Sequence, residues 1–210
     1  MQIKQKIKKC VPIIFIMLIL SLTCVFYNLL QPKIIALFQA RFNIVSKSSN
    51  LLVHFIDIGQ GDAIAVNLPN DEILLIDAGT ENKNVTFTNY IKENVLNSTH
   101  DNVIDYLILT HADADHIGGA LRLLKNFKIN KVFMPIYSNN TQIYLELKNF
   151  IESNCNYETI SRDIEFNVAG CEINILGLYE YEDTNKSCPV VKISYLNKSF
   201  LLKSFKIIIL

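Results

Sequence analysis

Apolar and polar positions along this chain form two different patterns. Residues 11–30 are an unbroken run without a charged side chain, apolar on every face of a helix. From Leu51 onward, short segments rich in β-branched residues alternate with segments whose apolar residues recur at helical spacing. Turn residues such as Pro69, Asn70 and Asp71 separate these segments. The pattern predicts one apolar N-terminal helix followed by an α/β domain with mixed sheets and helices on their outer faces.

The order of elements in the domain follows from the same pattern. Three strands come first, over LLVHFIDI, AIAVNL and EILLIDAG. A helix over VTFTNYIKENVL and a buried strand over VIDYLILT come next. They are followed by a helix over IGGALRLLKNF, a strand over KVFMPI and a helix over TQIYLELKNFIESN. The remaining segments are strand-like: ETISR, EFNVAG, CEINILGL, VVKISYL and SFLLKSFKIIIL.

The apolar run is long enough to cross a membrane. A helix over residues 11–30 spans about 30 Å, which is the thickness of the hydrocarbon core. Four lysines precede the run, so the positive-inside rule places the N-terminus in the cytoplasm and the domain outside the cell. A cleaved signal peptide is the main alternative, although no A-x-A-like site follows, and a buried core helix is the other. We expect a single-pass protein of the cell membrane: a basic cytoplasmic tail (1–10), a transmembrane anchor (11–30), a linker (31–50) and a domain (51–210).

Charge is distributed unevenly although the formal net charge of the 210 residues is zero. Residues 1–50 carry seven basic side chains and no acidic one. Residues 51–210 therefore hold all 20 acidic residues and the other 13 basic ones, a net charge of −7. Such a domain attracts nucleic acid poorly unless bound cations change its field. Five cysteines without a CxxC pair exclude a disulfide framework and a thiolate zinc site.

The residues that follow the strand VIDYLILT carry the candidate chemistry. Two of the four histidines and two aspartates lie within six residues, His111-Ala112-Asp113-Ala114-Asp115-His116. Imidazole and carboxylate groups are ligands for zinc, manganese or iron, and one such loop is able to serve two neighbouring metals. A solvated polar loop is the alternative interpretation, but it does not explain a charged cluster directly after a buried strand. The sequence therefore predicts a metal site.

Other polar features carry weaker signals. An EF-hand is excluded because Ile117 and Leu124 stand where its loop needs oxygen ligands. His54 lies within a strand pattern and is interpreted as structural, while His100 lies in a loop beside Asp101 and carries no signal. The GQGD segment at 59–62 lacks the third glycine of a dinucleotide fingerprint, so by itself it predicts only a turn.

Three motifs together resemble a known family. HFIDIGQGDAIAV, ILLIDAG and LILTHADADHIGG resemble the metallo-β-lactamase fold, and most closely the C-terminal domain of ComEC/Rec2 competence proteins and their stand-alone relatives. The resemblance covers about residues 51–203 and implies an αββα sandwich with two divalent metal ions, zinc or manganese. It implies metal ligation by His111, Asp113, Asp115 and His116. Asp115 would also orient the attacking water as the catalytic residue, and Asp62 and Asp77 would support the ligand loop from neighbouring strand ends.

The activity implied by this resemblance is hydrolysis of an ester, a phosphodiester in particular. A nucleic acid partner is implied by the resemblance alone, the membrane is the other expected partner, and no protein partner is indicated. A DNA-uptake channel would need many membrane spans. Because a single span is predicted here, we do not expect this chain to form such a channel.

The resemblance breaks near the C-terminus. Lys203-Ser204 stands where the family has a Gly-Asp pair whose aspartate bridges the metals, and no histidine follows His116. We therefore expect a C-terminally truncated domain with an incomplete second half, an uncovered apolar face, incomplete metal occupancy and impaired hydrolysis. A non-catalytic remnant or binding module of the same family is the alternative, so the sequence leaves open whether this chain is an enzyme.

Overall fold

The computed structural model describes residues 50–96, 102–135, 140–177, 188–203 and 206–209. The predicted tail, the predicted anchor and the linker up to residue 49 lie outside these ranges, as does His100. Within them, no helix combines the length and the apolar character needed to cross a membrane. Residues 48–210 form one compact unit.

A six-stranded mixed sheet forms the centre of this unit, with the strands in sequence order. The first three strands are antiparallel, and the third to sixth are parallel, with Leu75 opposite Leu107 across the central pair. Apolar runs explain why these central strands are buried on both faces. The strands are β1 (Leu52–Phe55), β2 (Ile64–Asn67), β3 (Ile73–Ile76), β4 (Val103–Ile108), β5 (Lys128–Pro135) and β6 (Tyr157–Ile160).

Helices cover one face of this sheet because they form the crossovers between its parallel strands. Helix α1 (Asn84–Tyr90) follows a 3₁₀ turn (Glu81–Lys83) and continues as a π-helical turn (Ile91–Val95). The other helices are α2 (Ala114–Ile117), α3 (Ala120–Asn126) and α4 (Gln142–Asn154). They bury a common core against the sheet, which includes Phe87, Ile91, Leu123, Leu147 and Ile151.

A second, antiparallel sheet of five strands packs on the other face of the first sheet. Its strands are β7 (Ile164–Val168), β8 (Cys171–Leu176), β9 (Val190–Tyr195), β10 (Lys198–Lys203) and β11 (Lys206–Ile209). Alternate residues of β7 to β10 point inward, so that Val168, Ile173, Ile175, Val191, Ile193 and Leu202 meet the apolar side chains of β2 to β5.

The mixed α/β fold is confirmed, although several details differ from the sequence prediction. The expectation of an uncovered apolar face is wrong, because the second sheet covers the inner face of the first across a shared core. The outer face of the second sheet carries exposed polar residues such as Glu165 and Glu172, and no helix among the described residues covers it. The final strand-like segment also forms two paired strands, β10 and β11, rather than one.

Candidate metal centre

The predicted ligand loop lies where the parallel strands β3 and β4 end. Asp77 directly follows β3, and Thr110 and His111 come two and three residues after β4. The backbone N–H of Asp77 donates to the carbonyl oxygen of Ile108 at 2.9 Å, so the two strand ends are held side by side. Carboxyl ends of parallel strands are the usual place for a binding site in open α/β sheets. Here they bring together side chains that are more than 30 residues apart.

Backbone hydrogen bonds tie three loops together at this edge. The N–H of Ala78 donates to the carbonyl oxygen of His116 at 2.7 Å, and the N–H of Gly79 donates to that of Asp62 at 3.0 Å. The N–H of Gly119 in turn donates to the carbonyl oxygen of Gly79 at 3.1 Å. The segment after β3 therefore fixes both the ligand loop and the 59–62 turn.

The four predicted ligands are neighbours, but they form two overlapping groups rather than one. His111 groups with Asp113 and Asp115, and it also groups with His116 and Asp77, with the ligand atoms of each group within 4.8 Å of one another. His111 Nε2 lies 3.6 Å from Asp113 Oδ2, and His116 Nε2 lies 3.9 Å from Asp115 Oδ1. The two imidazole centroids are 3.7 Å apart. His111 is thus the residue common to both groups.

This donor set fits a divalent metal ion. Two atoms that each lie about 2.1 Å from one ion in tetrahedral geometry are about 3.4 Å apart, close to the His111–Asp113 separation. A mixture of imidazole nitrogen and carboxylate oxygen suits zinc, and the oxygen ligands also suit manganese. The structure brings these candidate ligands close together, and metal ligation by each of the four predicted residues stays a prediction.

Asp77 supports the ligand loop from the buried side. Its side chain is 1% exposed, and its Oδ2 accepts a hydrogen bond from His116 Nδ1 at 2.9 Å. It also accepts from Thr110, at Oδ1 from the backbone N–H at 2.8 Å and at Oδ2 from the hydroxyl at 2.6 Å. Asp62 lies farther from the same ring nitrogen, with its Oδ2 3.9 Å from His116 Nδ1. Both aspartates therefore lie beside the loop, and Asp77 makes the closer contacts.

The two histidines differ in their electrostatic environment. Burial lowers the pKa of His111, and the neighbouring His116 lowers it further. Burial opposes protonation of His116 too, but its hydrogen bond to Asp77 and the charges of Asp77, Asp115 and Asp62 raise its pKa overall. His111 is therefore poised as a neutral ligand at neutral pH. A metal that binds His116 must compete with a proton.

Two residues that shape this site were not predicted from the sequence. Gly61, interpreted only as part of a turn, has φ +92°, and a Cβ built on it would lie 1.8 Å from the carbonyl oxygen of Asp115. Thr110 connects Asp77 with His111, since its Oγ1 lies 3.0 Å from His111 Nδ1. Thr110 immediately precedes the first histidine of the motif, and that position was the available signal. Nothing in the local sequence indicates the contact of Gly61.

A cleft of about 480 Å³ opens beside the two acidic ligand candidates, and its size suits a small substrate group. Six of its eight lining residues carry polar or acidic side chains. The lining residues are Gln60, Thr80, Glu81, Asn82, Asp113, Ala114, Asp115 and Ile143.

His54 is placed elsewhere, on β1. Its Nδ1 lies 3.1 Å from the Tyr90 hydroxyl, and its Nε2 lies 2.9 Å from Asn67 Oδ1. These contacts tie β1 to β2 and α1, in agreement with its interpretation as a structural histidine.

Comparison with known proteins agrees with this geometry. A family model described as the metallo-beta-lactamase superfamily matches residues 56–138. The chain is 37% identical over 102 residues to ComE operon protein 3 of Bacillus subtilis (strain 168), a match that covers 42% of this chain and 13% of that protein. The chain therefore spans only a small part of this curated relative.

Solved structures of low sequence identity share the fold. One is a metallo-β-lactamase with a HARLDQ motif from Cronobacter sakazakii, with a TM-score of 0.51, 12% identity, and coverage of 75% of this chain and 64% of that one. Another is MEM-A1, a subclass B3 metallo-β-lactamase from a soil metagenome library, with a TM-score of 0.50, 12% identity, and coverage of 71% and 58%. The fold implies divalent metal binding, and the described residues supply candidate ligand groups for it. Residues 56–138 match the metallo-beta-lactamase superfamily model, and the solved structures share the fold, in agreement with the resemblance that the sequence motifs indicate.

Proposed function

We propose that this chain is a membrane-anchored, metal-dependent hydrolase of ester bonds, with phosphodiesters as its main substrate class. The observation that carries the proposal is the loop from His111 to His116. This loop brings two buried imidazoles and two carboxylates together beside a cleft of about 480 Å³. A buried carboxylate on a neighbouring strand end, Asp77, holds the loop in place.

Each residue of the loop would have a defined role. His111, Asp113, Asp115 and His116 would hold two divalent ions, zinc or manganese. Bound there, the ions would lower the pKa of a water molecule and stabilise negative charge on the substrate. Asp115 lines the cleft, and its carboxylate would orient the attacking water. Asp113 lines the same wall, so a substrate in the cleft would meet the ligand side of the loop.

The anchor over residues 11–30 would keep this domain outside the cell, attached to the membrane by a single span. Nucleic acid is one candidate source of phosphodiesters, which the resemblance of the sequence motifs to the ComEC/Rec2 competence proteins implies. The net charge of −7 over residues 51–210 opposes its approach unless cations are bound.

We further propose that a polypeptide of these 210 residues holds its metal weakly. All four predicted ligands come from one six-residue loop, and the separation of 3.9 Å between His116 Nε2 and Asp115 Oδ1 is wide for a common ion. Catalysis would then be impaired. The same observation favours the second candidate function, a non-catalytic binding module of the family.

Metal binding tests the site. The full chain, purified in mild detergent, would be loaded with zinc or manganese and then dialysed against a mild chelator. We expect binding that this dialysis removes and that His116→Ala abolishes. His54→Ala should leave it unchanged, because the His54 ring makes hydrogen bonds to Asn67 and Tyr90, away from the ligand loop. Stoichiometric metal that survives dialysis would contradict weak binding, and binding that survives His116→Ala would refute the assigned site.

Activity separates the two candidate functions. We expect no hydrolysis of bis(p-nitrophenyl) phosphate above background at micromolar zinc or manganese. Asp163→Ala is the control, because Asp163 is an exposed residue directly before β7 whose Oδ1 accepts a hydrogen bond from the N–H of Gly177. Turnover that appears as the metal concentration is raised, and that disappears in Asp115→Ala but not in the control, would support the impaired hydrolase. A complete lack of turnover at saturating metal would favour the binding module. Strong turnover at micromolar metal would contradict the impairment.

A further inference from the structure

We propose that Thr110 is a positioning residue that fixes the tautomer of His111, so that the single carboxylate of Asp77 orients both histidines of the site. Asp77 contacts His116 directly and reaches His111 through the Thr110 hydroxyl. This inference rests on the proposed function only in assuming that the Nε2 atoms of the two rings serve a metal ion. The hydrogen bonds that carry it are present without one.

The direction of each hydrogen bond follows from the chemistry of its partners. A carboxylate can only accept hydrogen bonds, and a hydroxyl has a single proton to donate. The Thr110 hydroxyl lies 2.6 Å from Asp77 Oδ2, so its proton is donated there. Towards His111 Nδ1, at 3.0 Å, the hydroxyl oxygen then has only lone pairs to offer. His111 Nδ1 must therefore carry the proton, which leaves the lone pair of a neutral ring on Nε2.

The direct hydrogen bond between His116 and Asp77 likewise places the proton of the His116 ring on Nδ1. Its Nδ1 lies 2.9 Å from Asp77 Oδ2, and since the carboxylate accepts, Nδ1 carries a proton there as well. The Nε2 atoms of both rings face carboxylates of the ligand loop, Asp113 for His111 and Asp115 for His116. The buried Asp77 carboxylate thus orients both rings so that their Nε2 atoms face the carboxylates of the ligand loop.

Burial increases the preference of His111 for one tautomer over the other. Thr110 and His111 are each 3% exposed, Asp77 is 1% exposed and His116 is fully buried, so water competes poorly for these hydrogen bonds. The backbone N–H of Thr110 donates to Asp77 Oδ1 at 2.8 Å and fixes the orientation of the carboxylate. A flipped His111 tautomer would place a lone pair against the hydroxyl oxygen and lose the buried hydrogen bond between Thr110 and His111, which is costly.

The tautomers are observable in the metal-free full chain by long-range ¹H–¹⁵N NMR of labelled histidine rings at about pH 8, above the ordinary pKa of histidine. We expect the Nδ1–H form of His111 in the wild type and in Thr110→Ser, which keeps the hydroxyl. In Thr110→Val we expect His111 to populate the Nε2–H form while His116 retains its Nδ1 proton. Thr88→Val is the matched control, since Thr88 is also buried but donates to the carbonyl oxygen of Asn84.

Zinc affinity, measured by competition with a chromogenic chelator, is the second readout. Loss of a hydrogen-bond partner behind a metal ligand lowers affinity by about 10–100-fold, so we expect that loss in Thr110→Val and recovery in Thr110→Ser. An Nε2–H form of His111 in the wild type would overturn the inference without any variant, and so would unchanged tautomer and affinity in Thr110→Val. A wild type with the expected tautomers but no metal binding would refute the proposed function and leave this inference standing.

Discussion

Gly61 lies where the 59–62 turn passes the ligand loop with no space for a side chain. A Cβ on this residue would lie 1.8 Å from the carbonyl oxygen and 2.8 Å from the carbonyl carbon of Asp115. Both contacts are with backbone, which cannot rotate away as a flexible side chain does. Its φ of +92° adds a conformation that other residues rarely adopt. The turn and the ligand loop therefore pack so closely at this position that a side chain at residue 61 would collide with the backbone of Asp115.

We predict that Gly61→Ala displaces Asp115 and destabilises the domain by about 2 kcal/mol or more, through backbone strain together with overpacking. Gly59→Ala is the matched control, because Gly59 also has a positive φ, +78°, but nothing lies within 4 Å of the position that its Cβ would take. We expect the control to cost about 1 kcal/mol from the backbone alone. Urea unfolding and zinc affinity would measure the difference, and equal losses in both variants would show that the contact with Asp115 is unimportant.

At the scale of single elements, helix α4 shows most directly how the sequence pattern leads to packing. Leu147 and Ile151 lie four residues apart on one face and are 1% and 0% exposed. Leu145, on the same helix, is 47% exposed. The helix begins after Thr141, whose hydroxyl accepts a hydrogen bond from the N–H of Tyr144. Its stability therefore depends on the buried face more than on its composition.

We predict that Leu147→Ala destabilises the domain by about 2–5 kcal/mol, because it removes buried methyl groups and leaves a cavity. Leu145→Ala removes the same atoms from an exposed position, so we expect a change within about 0.5 kcal/mol. Chemical denaturation of both variants, followed by circular dichroism, makes the comparison. Similar losses in the two variants would contradict the packing of α4 described above.

Most elements of the fold could be predicted because their signals are local. The helix over IGGALRLLKNF was only partly correct: α2 begins earlier, at Ala114, and α3 starts separately at Ala120. Gly118 and Gly119 explain the close packing at this point, since a Cβ on either would lie within 2.5 Å of the backbone of Glu81 or Ala78. These contacts join residues more than 30 positions apart, which no short sequence pattern contains.

The same distinction between local sequence signals and long-range contacts applies to the candidate metal site. Two histidines and two aspartates within six residues are visible in the sequence as a ligand loop. Asp77 lies 33 residues from Thr110 and 39 from His116, so its contacts follow only from the pairing of β3 with β4. The family resemblance indicated that Asp77 supports the loop, whereas the position of Thr110 between two polar groups required the fold.

At the scale of the whole molecule, charge separates the N-terminal 50 residues from the domain. The first part has seven basic residues and no acidic one, and the rest has a net charge of −7. Basic residues next to an apolar span are attracted to anionic lipids of the cytoplasmic leaflet, while an acidic domain is not. The four lysines that precede residues 11–30 therefore support the proposed orientation, in which residues 1–10 stay on the cytoplasmic side.

We predict that the full chain remains with the membrane fraction after a high-salt wash and is released by detergent, because residues 11–30 are apolar over the thickness of a bilayer. Ile16→Lys with Leu20→Lys should weaken insertion, since each lysine near the centre of a span costs about 2.5–3.5 kcal/mol. Protease added to intact cells should remove the domain. Full protection of the domain would overturn the orientation, and a mature N-terminus beyond residue 30 would show that the segment is a cleaved signal peptide instead of an anchor.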